Sequence, residues 1–187
     1  MFLNLHIETE RLIIRPYALT DLDELYAVVS EPDFYRFIPE DVPSRGDVQR
    51  IIEWSIQCNK KNTLSKIHKL NLAIVDRERQ TLIGYCGLGP DDVKETEVEI
   101  YYGISNAYRG QGIAYEAAQA LLNYAFNKIG LLKVIAVVHP ENVASLRIVA
   151  KLGMNYEYTY INLNPELKDF EGLLHYAIDN PSDVDTL

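Results

Sequence analysis

Apolar residues follow two patterns along this chain: short β-branched runs, which predict strands, and longer stretches with helical spacing. The first run, residues 11–15, predicts a strand that ends at Pro16. Residues 20–23 resemble a helix N-cap with an acidic residue three positions on, and apolar residues follow at helical spacing. A second helix is predicted from Ser44, after a loop at residues 31–46 that contains three prolines.

The middle of the chain predicts three strands in succession. Residues 60–69 are basic and polar and predict a loop. Apolar runs follow at residues 70–75 and 81–87, and the short polar segment between them favours an antiparallel hairpin. A longer strand is predicted over residues 95–104, and a glycine-containing turn follows at residues 108–112.

The last part of the chain alternates helices with strands. A strong helical pattern covers residues 114–129 and ends at Gly130, a residue type favoured just after a helix C-terminus. Residues 133–138 form a β-branched run that is typical of a buried strand. Residues 141–152 predict another helix, which again ends at a glycine, Gly153.

Two further strands, residues 155–163 and 173–178, complete the order β-α-α-β-β-β-α-β-α-β-β. This order favours an α/β fold with a central mixed sheet and helices on both faces. The parallel part of the sheet is expected in the strand–helix–strand unit over roughly residues 95–138. We expect residues 1–187 to form a single domain, with an acidic, frayed tail at residues 179–187.

Composition limits the class of protein and its partners. The chain has 27 acidic residues against 18 basic ones and a net charge of −9, whereas nucleic-acid binding normally needs an excess of lysine and arginine. No run of apolar residues approaches the roughly 20 needed to cross a bilayer, and no secretory signal is recognisable. Neither nucleic acid nor membrane is expected as a partner. Cys58 and Cys86 lack zinc-site neighbours, so we expect no metal and two buried thiols in a cytoplasmic protein.

One turn has the features of a binding site. The segment Arg109–Ala114, with the sequence RGQGIA, lies between a predicted strand and a predicted helix. Unpaired N–H groups at a helix N-terminus bind anions, and small residues let phosphate oxygens approach the backbone. The spacing matches neither a Walker loop nor a dinucleotide fingerprint. The residues alone leave two interpretations open, an anion-binding turn and a plain tight connection.

The pattern Arg109-x-x-Gly112-x-Ala114 resembles the R/Q-x-x-G-x-G/A motif of the GNAT superfamily of N-acetyltransferases. Other segments resemble the same family in order and spacing: Thr9–Pro16, Asp21–Tyr26, Ile83-Gly84, Gly87-Leu88, Pro140–Ser145 and Lys151–Gly153. The resemblance covers about residues 7–178 and is similar to the branch of ribosomal-protein N-terminal acetyltransferases. It implies the GNAT fold, with a mostly antiparallel sheet.

The resemblance implies acetyl-CoA as a co-substrate and no metal. In this family the turn holds the coenzyme A pyrophosphate, and the preceding strand offers an open edge with which pantetheine pairs. The implied coenzyme ligands are Tyr102, Gly103, Ile104, Arg109, Gly110, Gln111, Gly112, Ile113, Ala114, Asn142 and Ser145. Asn142 is equally typical of a helix N-cap, and Tyr102 of core packing.

The resemblance also implies two catalytic side chains. Ser145 matches a serine near the thioester sulfur, where it protonates the departing thiolate. Many GNAT enzymes place a general-acid tyrosine four residues later, but Val149 stands there. Glu99 matches an acidic residue that accepts the proton of the amine, directly or through water, and Glu97 and His139 are alternative bases.

These features predict an N-acetyltransferase in which a primary amine attacks acetyl-CoA directly in a ternary complex. The acceptor is a protein N-terminus or a small-molecule amine, and the protein is a monomer or a homodimer. The valine at position 149 leaves a second class open, a non-catalytic domain that binds acyl-CoA. A third class is an α/β protein that binds another phosphorylated ligand. This interpretation relies on the anion-binding turn alone and not on the rest of the resemblance. Four aromatic residues either line the acceptor pocket or belong to the core: Phe34, Tyr35, Phe37 and Trp54.

Overall fold

An eight-stranded sheet organises residues 2–182, the part of the chain that the computed structural model describes. The strands are β1 (Ile7–Glu8), β2 (Leu12–Pro16), β3 (Leu70–Asp76), β4 (Thr81–Pro90), β5 (Val98–Ile104), β6 (Lys133–Val138), β7 (Asn155–Thr159) and β8 (Leu174–Asp179). Their order is β1-β2-β3-β4-β5-β6-β8-β7, and every pair is antiparallel except β5 with β6. The predicted mixed, mostly antiparallel sheet and its single parallel pair are confirmed.

Four α-helices connect the strands: α1 (Leu22–Val29), α2 (Arg45–Lys61), α3 (Ile113–Tyr124) and α4 (Val143–Lys151). The helix predicted over residues 114–129 is α3 followed by a π-helical turn, Ala125–Ile129. Gly130 then ends the helix with a φ of 83°. That left-handed conformation favours glycine because a side chain would strain it, and Gly153 ends α4 in the same way with a φ of 79°.

Polar caps determine where two of the helices begin. The Ser44 hydroxyl accepts a hydrogen bond from the Asp47 N–H at 3.2 Å, and the Asp47 carboxylate accepts one from the Ser44 N–H at 2.9 Å. The predicted start of α2 is therefore confirmed. Asn142 caps α4, because its Oδ1 accepts a hydrogen bond from the Ser145 N–H at 3.1 Å.

The start of α1 differs from the prediction. The predicted cap, residue 20, lies two positions before α1, and the N-cap is Asp21. The Asp21 carboxylate does not cap the helix, because it lies 2.7 and 2.8 Å from the Arg15 guanidinium and accepts the Ala18 N–H at 2.8 Å. A 3-10 turn, Leu19–Asp21, therefore precedes α1. Pro16 is the last residue of β2 and not, as predicted, the residue that follows the strand. β1 pairs with β2 only at residues 13 and 14 and does not reach Pro16.

The helices cover both faces of the sheet, and each face has its own apolar core. The face that carries α3 and α4 buries Leu72, Ile100 and Leu121. The face that carries α1 and α2 buries Ile52 and Ala73. We call these the α3/α4 face and the α1/α2 face.

The sheet opens between β5 and β6. Within the described chain, Glu99 and Ile135 are the only residues of these two strands that pair in register. On its other edge β5 pairs with β4 from Val98 to Ile104. The C-terminal half of β5 therefore has no strand partner on the β6 side, and its backbone groups on that edge face a gap.

The C-terminal segment is more regular than the prediction of a frayed tail at residues 179–187. Asp179 is the last residue of β8. Asn180 is buried, and its N–H donates to the Leu132 carbonyl at 2.7 Å. Residues 183–187 lie outside the described part of the chain.

Glycines in β4 make room for large polar side chains from the neighbouring strands. Asn71, Gly87 and Tyr101 form one row across β3, β4 and β5. The Tyr101 ring lies over Gly87, and its hydroxyl donates to Asn71 Oδ1 at 2.5 Å. Asn71 in turn donates to the Ser55 hydroxyl of α2 at 2.7 Å. This row connects the sheet to α2 and holds Tyr101 in place.

The substitution Gly87→Ala tests this row. The added methyl group would overlap the ring and hydroxyl of Tyr101, so we expect the free energy of unfolding to fall by about 1–3 kcal/mol. Gly46→Ala is the matched control, because a Cβ at that exposed helical position has its nearest neighbour at 3.8 Å and is neutral or stabilising. Urea denaturation measures both variants, and equal stabilities would contradict the packing described.

Candidate active site

A cavity of about 500 Å³ lies where β5 and β6 part. Tyr102, Asn142 and Ser145 line it from the α3/α4 face, and Glu99 and Tyr101 line it from the α1/α2 face. Both faces contribute because successive residues of a strand point to opposite sides of the sheet. The cavity therefore connects the two faces through the opening in the sheet.

The turn before α3 has the geometry of an anion site. Gly110 and Gly112 have φ angles of 74° and 78°, in the region that favours glycine. A Cβ at Gly110 would meet nothing within 4 Å, so the surface beside this backbone is open. The N–H groups in the first turn of α3 have no acceptor within the helix, and together with the helix dipole they favour a phosphate group.

Two side chains from the start of the chain hold this turn in place. Arg11 donates to the Gln111 carbonyl at 2.9 Å, and its Nε donates to the Glu116 carboxylate at 2.7 Å. Glu116, in the first turn of α3, also accepts from the Thr9 hydroxyl at 2.6 Å. We call these contacts the N-terminal clasp. Sequence analysis did not find the clasp, because its partners lie 100 or more positions apart and carry no joint motif.

The Ser145 hydroxyl lies 2.9 Å from the Tyr102 hydroxyl, and the two face the cavity together. Burial raises the pKa of Tyr102 to about 12, although the hydrogen bond with Ser145 lowers it. The phenol therefore keeps its proton at neutral pH, and the pair has a hydroxyl donor for a group in the cavity. Val149 is fully buried in the core and has no polar group to add.

Glu99 reaches the cavity from the α1/α2 face. Burial raises its pKa to about 8, the Asp91 carboxylate adds to that rise, and the Lys69 ammonium opposes it. The Lys69 side chain lies across Gly89, the β4 partner of Glu99, in the space that a side chain there would fill. A carboxyl group with this pKa exchanges its proton near neutral pH, as a general base does.

The two alternative bases have different surroundings. Glu97 precedes β5 and does not line the cavity, because its carboxylate lies 3.0 Å from His175 Nε2 and 3.4 Å from Lys133 Nζ. Glu97 is therefore held in an ion-pair cluster outside the cavity, whereas Glu99 lines it. His139 does line the cavity beside the Phe37 ring, with ring centroids 5.2 Å apart, and its Nδ1 accepts a backbone N–H two residues on.

The other positions predicted to contact the coenzyme form one path from the cavity to the turn. β5 leads away from Tyr102, and a 3-10 turn at residues 106–108 connects it to the glycine-containing turn. In chain order the path contains Gly103, Ile104, Arg109, Gly110, Gln111, Gly112, Ile113 and Ala114. It has an anion site at one end and a cavity at the other, which is a shape that suits a long ligand with a phosphorylated end.

The four aromatic residues in question divide between pocket and core. Tyr35, Phe37 and Trp54 line the cavity. Phe34 is buried in the core of the α1/α2 face, where its ring also fills the space over Gly103. The loop at residues 31–46 thus contributes one wall of the cavity.

Sequence analysis missed most of the charged residues of the cavity. Glu40, Asp91, Asp92 and Lys69 line it together with Glu99. The acidic pair that directly follows β4 was the available signal, since the end of β4 lies beside the start of β5, where Glu99 stands.

Within residues 2–182, one group of side chains combines metal-ligand types at close range: Glu97, Glu157 and His175. The Lys133 ammonium lies 2.9 Å from Glu157 and 3.4 Å from Glu97, so a lysine of the chain already forms ion pairs with both carboxylates of this group. No described helix is both long and apolar enough to span a bilayer.

Comparisons with known proteins agree with this geometry. A family model described as "Acetyltransferase (GNAT) domain" matches residues 11–155. The "Uncharacterized N-acetyltransferase YnaD" of Bacillus subtilis (strain 168) is 30% identical over 174 residues, which is 93% of this chain and 96% of that protein. An acetyltransferase (GNAT family) structure from Bacillus anthracis has a TM-score of 0.76 and 28% identity, over 94% of this chain and 99% of that one. A putative ribosomal-protein-serine acetyltransferase from Vibrio cholerae shares the fold, with a TM-score of 0.77, 20% identity, and coverage of 96% and 99%.

The fold and these matches define an acetyltransferase. The chain belongs to the GNAT acetyltransferase family. GNAT acetyltransferases use acetyl-CoA, so the predicted family, fold class and type of co-substrate are confirmed at this level.

The environment of Glu99 predicts a pH-dependent effect on stability. Because the folded-state pKa is raised from 4.5 to about 8, the folded chain binds a proton that the unfolded chain releases within this window. Glu99 therefore makes the fold less stable as pH rises from about 5 to 8. We expect Glu99→Gln to gain melting temperature relative to wild type over this range. Glu95→Gln, at an exposed side chain outside the cavity, is the control, and a constant difference for Glu99→Gln would contradict the prediction.

Proposed function

We propose that this protein transfers the acetyl group of acetyl-CoA to a primary amine by direct attack in a ternary complex. One observation carries the proposal: a single cavity crosses the sheet, with the Ser145–Tyr102 hydroxyl pair on one side and the Glu99 carboxyl on the other. Thioester and amine then approach from opposite faces and meet at the opening between β5 and β6. Holding two reactants together in this way supplies much of the acceleration in a bimolecular reaction.

The coenzyme lies along the path from the turn to the cavity. The backbone N–H groups at the start of α3 hold the diphosphate, and Gly110 and Gly112 allow its oxygens to come close. The open edge of β5, from Tyr102 to Ile104, pairs with the amide groups of the pantetheine arm. Asn142 and Ser145 contact the end of that arm, where the thioester enters the cavity.

Glu99 is the proposed general base. An amine reaches the site as an ammonium ion and must lose a proton before its nitrogen can attack. The Glu99 carboxylate accepts that proton, and the nitrogen forms a bond with the thioester carbonyl carbon while the carbon–sulfur bond breaks. With a pKa of about 8, Glu99 takes the proton at neutral to alkaline pH and is able to pass it on afterwards.

Ser145, positioned by Tyr102, is proposed to serve the departing sulfur. A phenol with a pKa of about 12 is a weaker acid than a thiol, which titrates near 8.5, so the pair stabilises the thiolate mainly as a hydrogen-bond donor. This role compensates for Val149, which has no proton to give. The nitrogen loses two protons in all: the one that Glu99 accepts before the attack is released to solvent, and the one lost as the amide forms goes to the departing thiolate.

The acceptor class is a protein N-terminus or a small-molecule amine. The fold shared with ribosomal-protein acetyltransferases supports a place near that branch, but the fold alone does not choose the acceptor. A non-catalytic domain that binds acyl-CoA would retain the path and the turn without needing Glu99 or Ser145. Turnover separates the two functions.

Coenzyme binding is tested by substitutions in two glycines of similar conformation. Gly112 in the turn and Gly130 after α3 have φ angles of 78° and 83°, so an alanine strains the backbone similarly at both. We expect only Gly112→Ala to weaken acetyl-CoA binding, by roughly tenfold or more, which is about 1.4 kcal/mol or more of binding energy. Thermal shift with acetyl-CoA measures this, and a ligand at 100 times its Kd adds about 2.7 kcal/mol to stability.

ATP and NAD, which also carry phosphate groups, are the control ligands for this measurement. A shift with acetyl-CoA and none with the other two supports the proposed site. Equal shifts would instead favour a general phosphate site, and equal losses in Gly112→Ala and Gly130→Ala would place the coenzyme elsewhere.

Catalysis is tested by pH–rate profiles for release of free thiol with a panel of amines. We expect the wild-type rate to rise with pH through about 8, because Glu99 must be ionised to accept a proton. Glu99→Gln should lower kcat by roughly 100-fold or more and remove this inflection. Ser145→Ala should lower kcat by roughly tenfold with the inflection kept. Binding of acetyl-CoA without turnover of any amine would favour the non-catalytic domain.

A further inference from the structure

The α1/α2 side of the cavity has an excess of negative charge. Four carboxylates line it, Glu40, Asp91, Asp92 and Glu99, against a single lysine, Lys69. Exposed carboxylates are common and need no ligand. Asp91 is different, because it is only 1% exposed, and burying a charge is unfavourable unless a partner compensates it.

The two oxygens of the Asp91 carboxylate have unequal surroundings. Oδ2 accepts three hydrogen bonds, from the Val93 N–H at 3.2 Å, the Lys94 N–H at 2.6 Å and the Tyr160 hydroxyl at 2.9 Å. No residue within 2–182 donates a hydrogen bond to Oδ1. Oδ1 is also not one of the fully buried polar atoms that lack a partner in this part of the chain. Asp91 lines the cavity, so the carboxylate oxygen without a described donor lies at its wall. The three donors hold the carboxylate in one orientation and leave Oδ1 without a described hydrogen bond.

The nearby lysines do not neutralise this carboxylate. The Lys69 ammonium lies 4.6 Å from the centroid of the Tyr101 ring, and the Lys94 ammonium lies 4.3 Å from that of the Tyr158 ring. Neither lysine forms an ion pair with Asp91 within the described chain. Three hydrogen bonds but no described ion pair offset the burial of Asp91, so a cation bound in the cavity would add the missing opposite charge.

Asp91 lies close to the proposed base. Its N–H donates to the Glu97 carbonyl at 3.0 Å, which extends the β4–β5 ladder by one position beyond the strands. Gly89 and Glu99 are partners in that ladder, and Asp91 is two residues from Gly89. Asp91 and Glu99 thus share a face as diagonal neighbours, a relation in which side chains are roughly 7–8 Å apart.

We propose that Asp91 binds a second positive charge on the acceptor, so that the preferred substrates are short-chain diamines or amines with another cationic group. The inference rests on the proposed function, because it defines the acceptor of that same site. The reacting nitrogen lies at Glu99, and the second ammonium donates to Asp91 Oδ1. Asp91 is here a specificity-determining residue and takes no part in the proton transfer.

The experiment compares 1,4-diaminobutane with butylamine, which has the same carbon chain and one ammonium. We expect the diamine to have a kcat/KM higher by roughly 10- to 100-fold, the range for a hydrogen bond to a charged group. Asp91→Asn keeps a carbonyl oxygen for the three donors and removes the charge, so the diamine-to-butylamine ratio should fall towards the statistical factor of about two. Glu95→Gln is the control, because it removes one negative charge outside the cavity and should keep the wild-type ratio.

Two results would overturn the inference. One is a wild-type enzyme that does not prefer the diamine. The other is an Asp91→Asn variant that is less stable but has an unchanged ratio, which would make Asp91 a purely structural residue of its turn. The wild-type comparison decides the question even if the variant does not fold.

Binding of both amines to the complex with coenzyme A, measured by calorimetry, separates this inference from the proposed function. If no amine is turned over, the proposed function fails, while tighter binding of the diamine than of butylamine still supports the second cation site. If neither amine binds preferentially, the inference fails whatever the turnover.

Discussion

The parting of β5 from β6 is the constraint on which the rest of the structure depends. An inner strand normally satisfies its backbone groups on both edges, but β5 does so fully only against β4. The opening provides the cavity and leaves a strand edge for a ligand with amide groups. Because neighbouring β5 residues point to opposite faces, one strand supplies Glu99 to one side and Tyr102 to the other.

Small residues in β4 give the site its polar character. The glycines at positions 87 and 89 leave space over the sheet, which Tyr101 of β5 and Lys69, just before β3, fill. Alternation with apolar residues keeps the opposite face of β4 in the α3/α4 core. A single strand thus borders an apolar core on one face and a charged pocket on the other.

The sequence predicts the features that depend on local pattern. Hydrophobic periodicity predicted the elements, and Gly130 and Gly153 marked two helix ends because left-handed backbone favours glycine. The resemblance to a family brought Asn142 and Ser145 to one site, and the structure places both at the cavity. Their roles stay predictions.

Features that depend on long-range contacts were not predictable in this way. The predicted cap of α1 at residue 20 was wrong, because residues 19–21 form a 3-10 turn in which Asp21 pairs with Arg15 of β2. Asp91 gave no local sign of its burial, since its donors include Tyr160, 69 positions away. The causes that raise the pKa of Glu99 are likewise not local: burial in the fold and the carboxylates of Asp91 and Asp92, which follow β4.

The N-terminal clasp makes Thr9 and Arg11 part of the structure of the turn before α3. A fragment that begins after β2 would retain the whole RGQGIA segment, yet the Gln111 carbonyl would lose its donor and Glu116 its counter-ion. The motif is therefore not a portable unit that can be transplanted with its helix alone. In a nascent chain it takes its final shape only when residues synthesised 100 positions earlier are in place beside it.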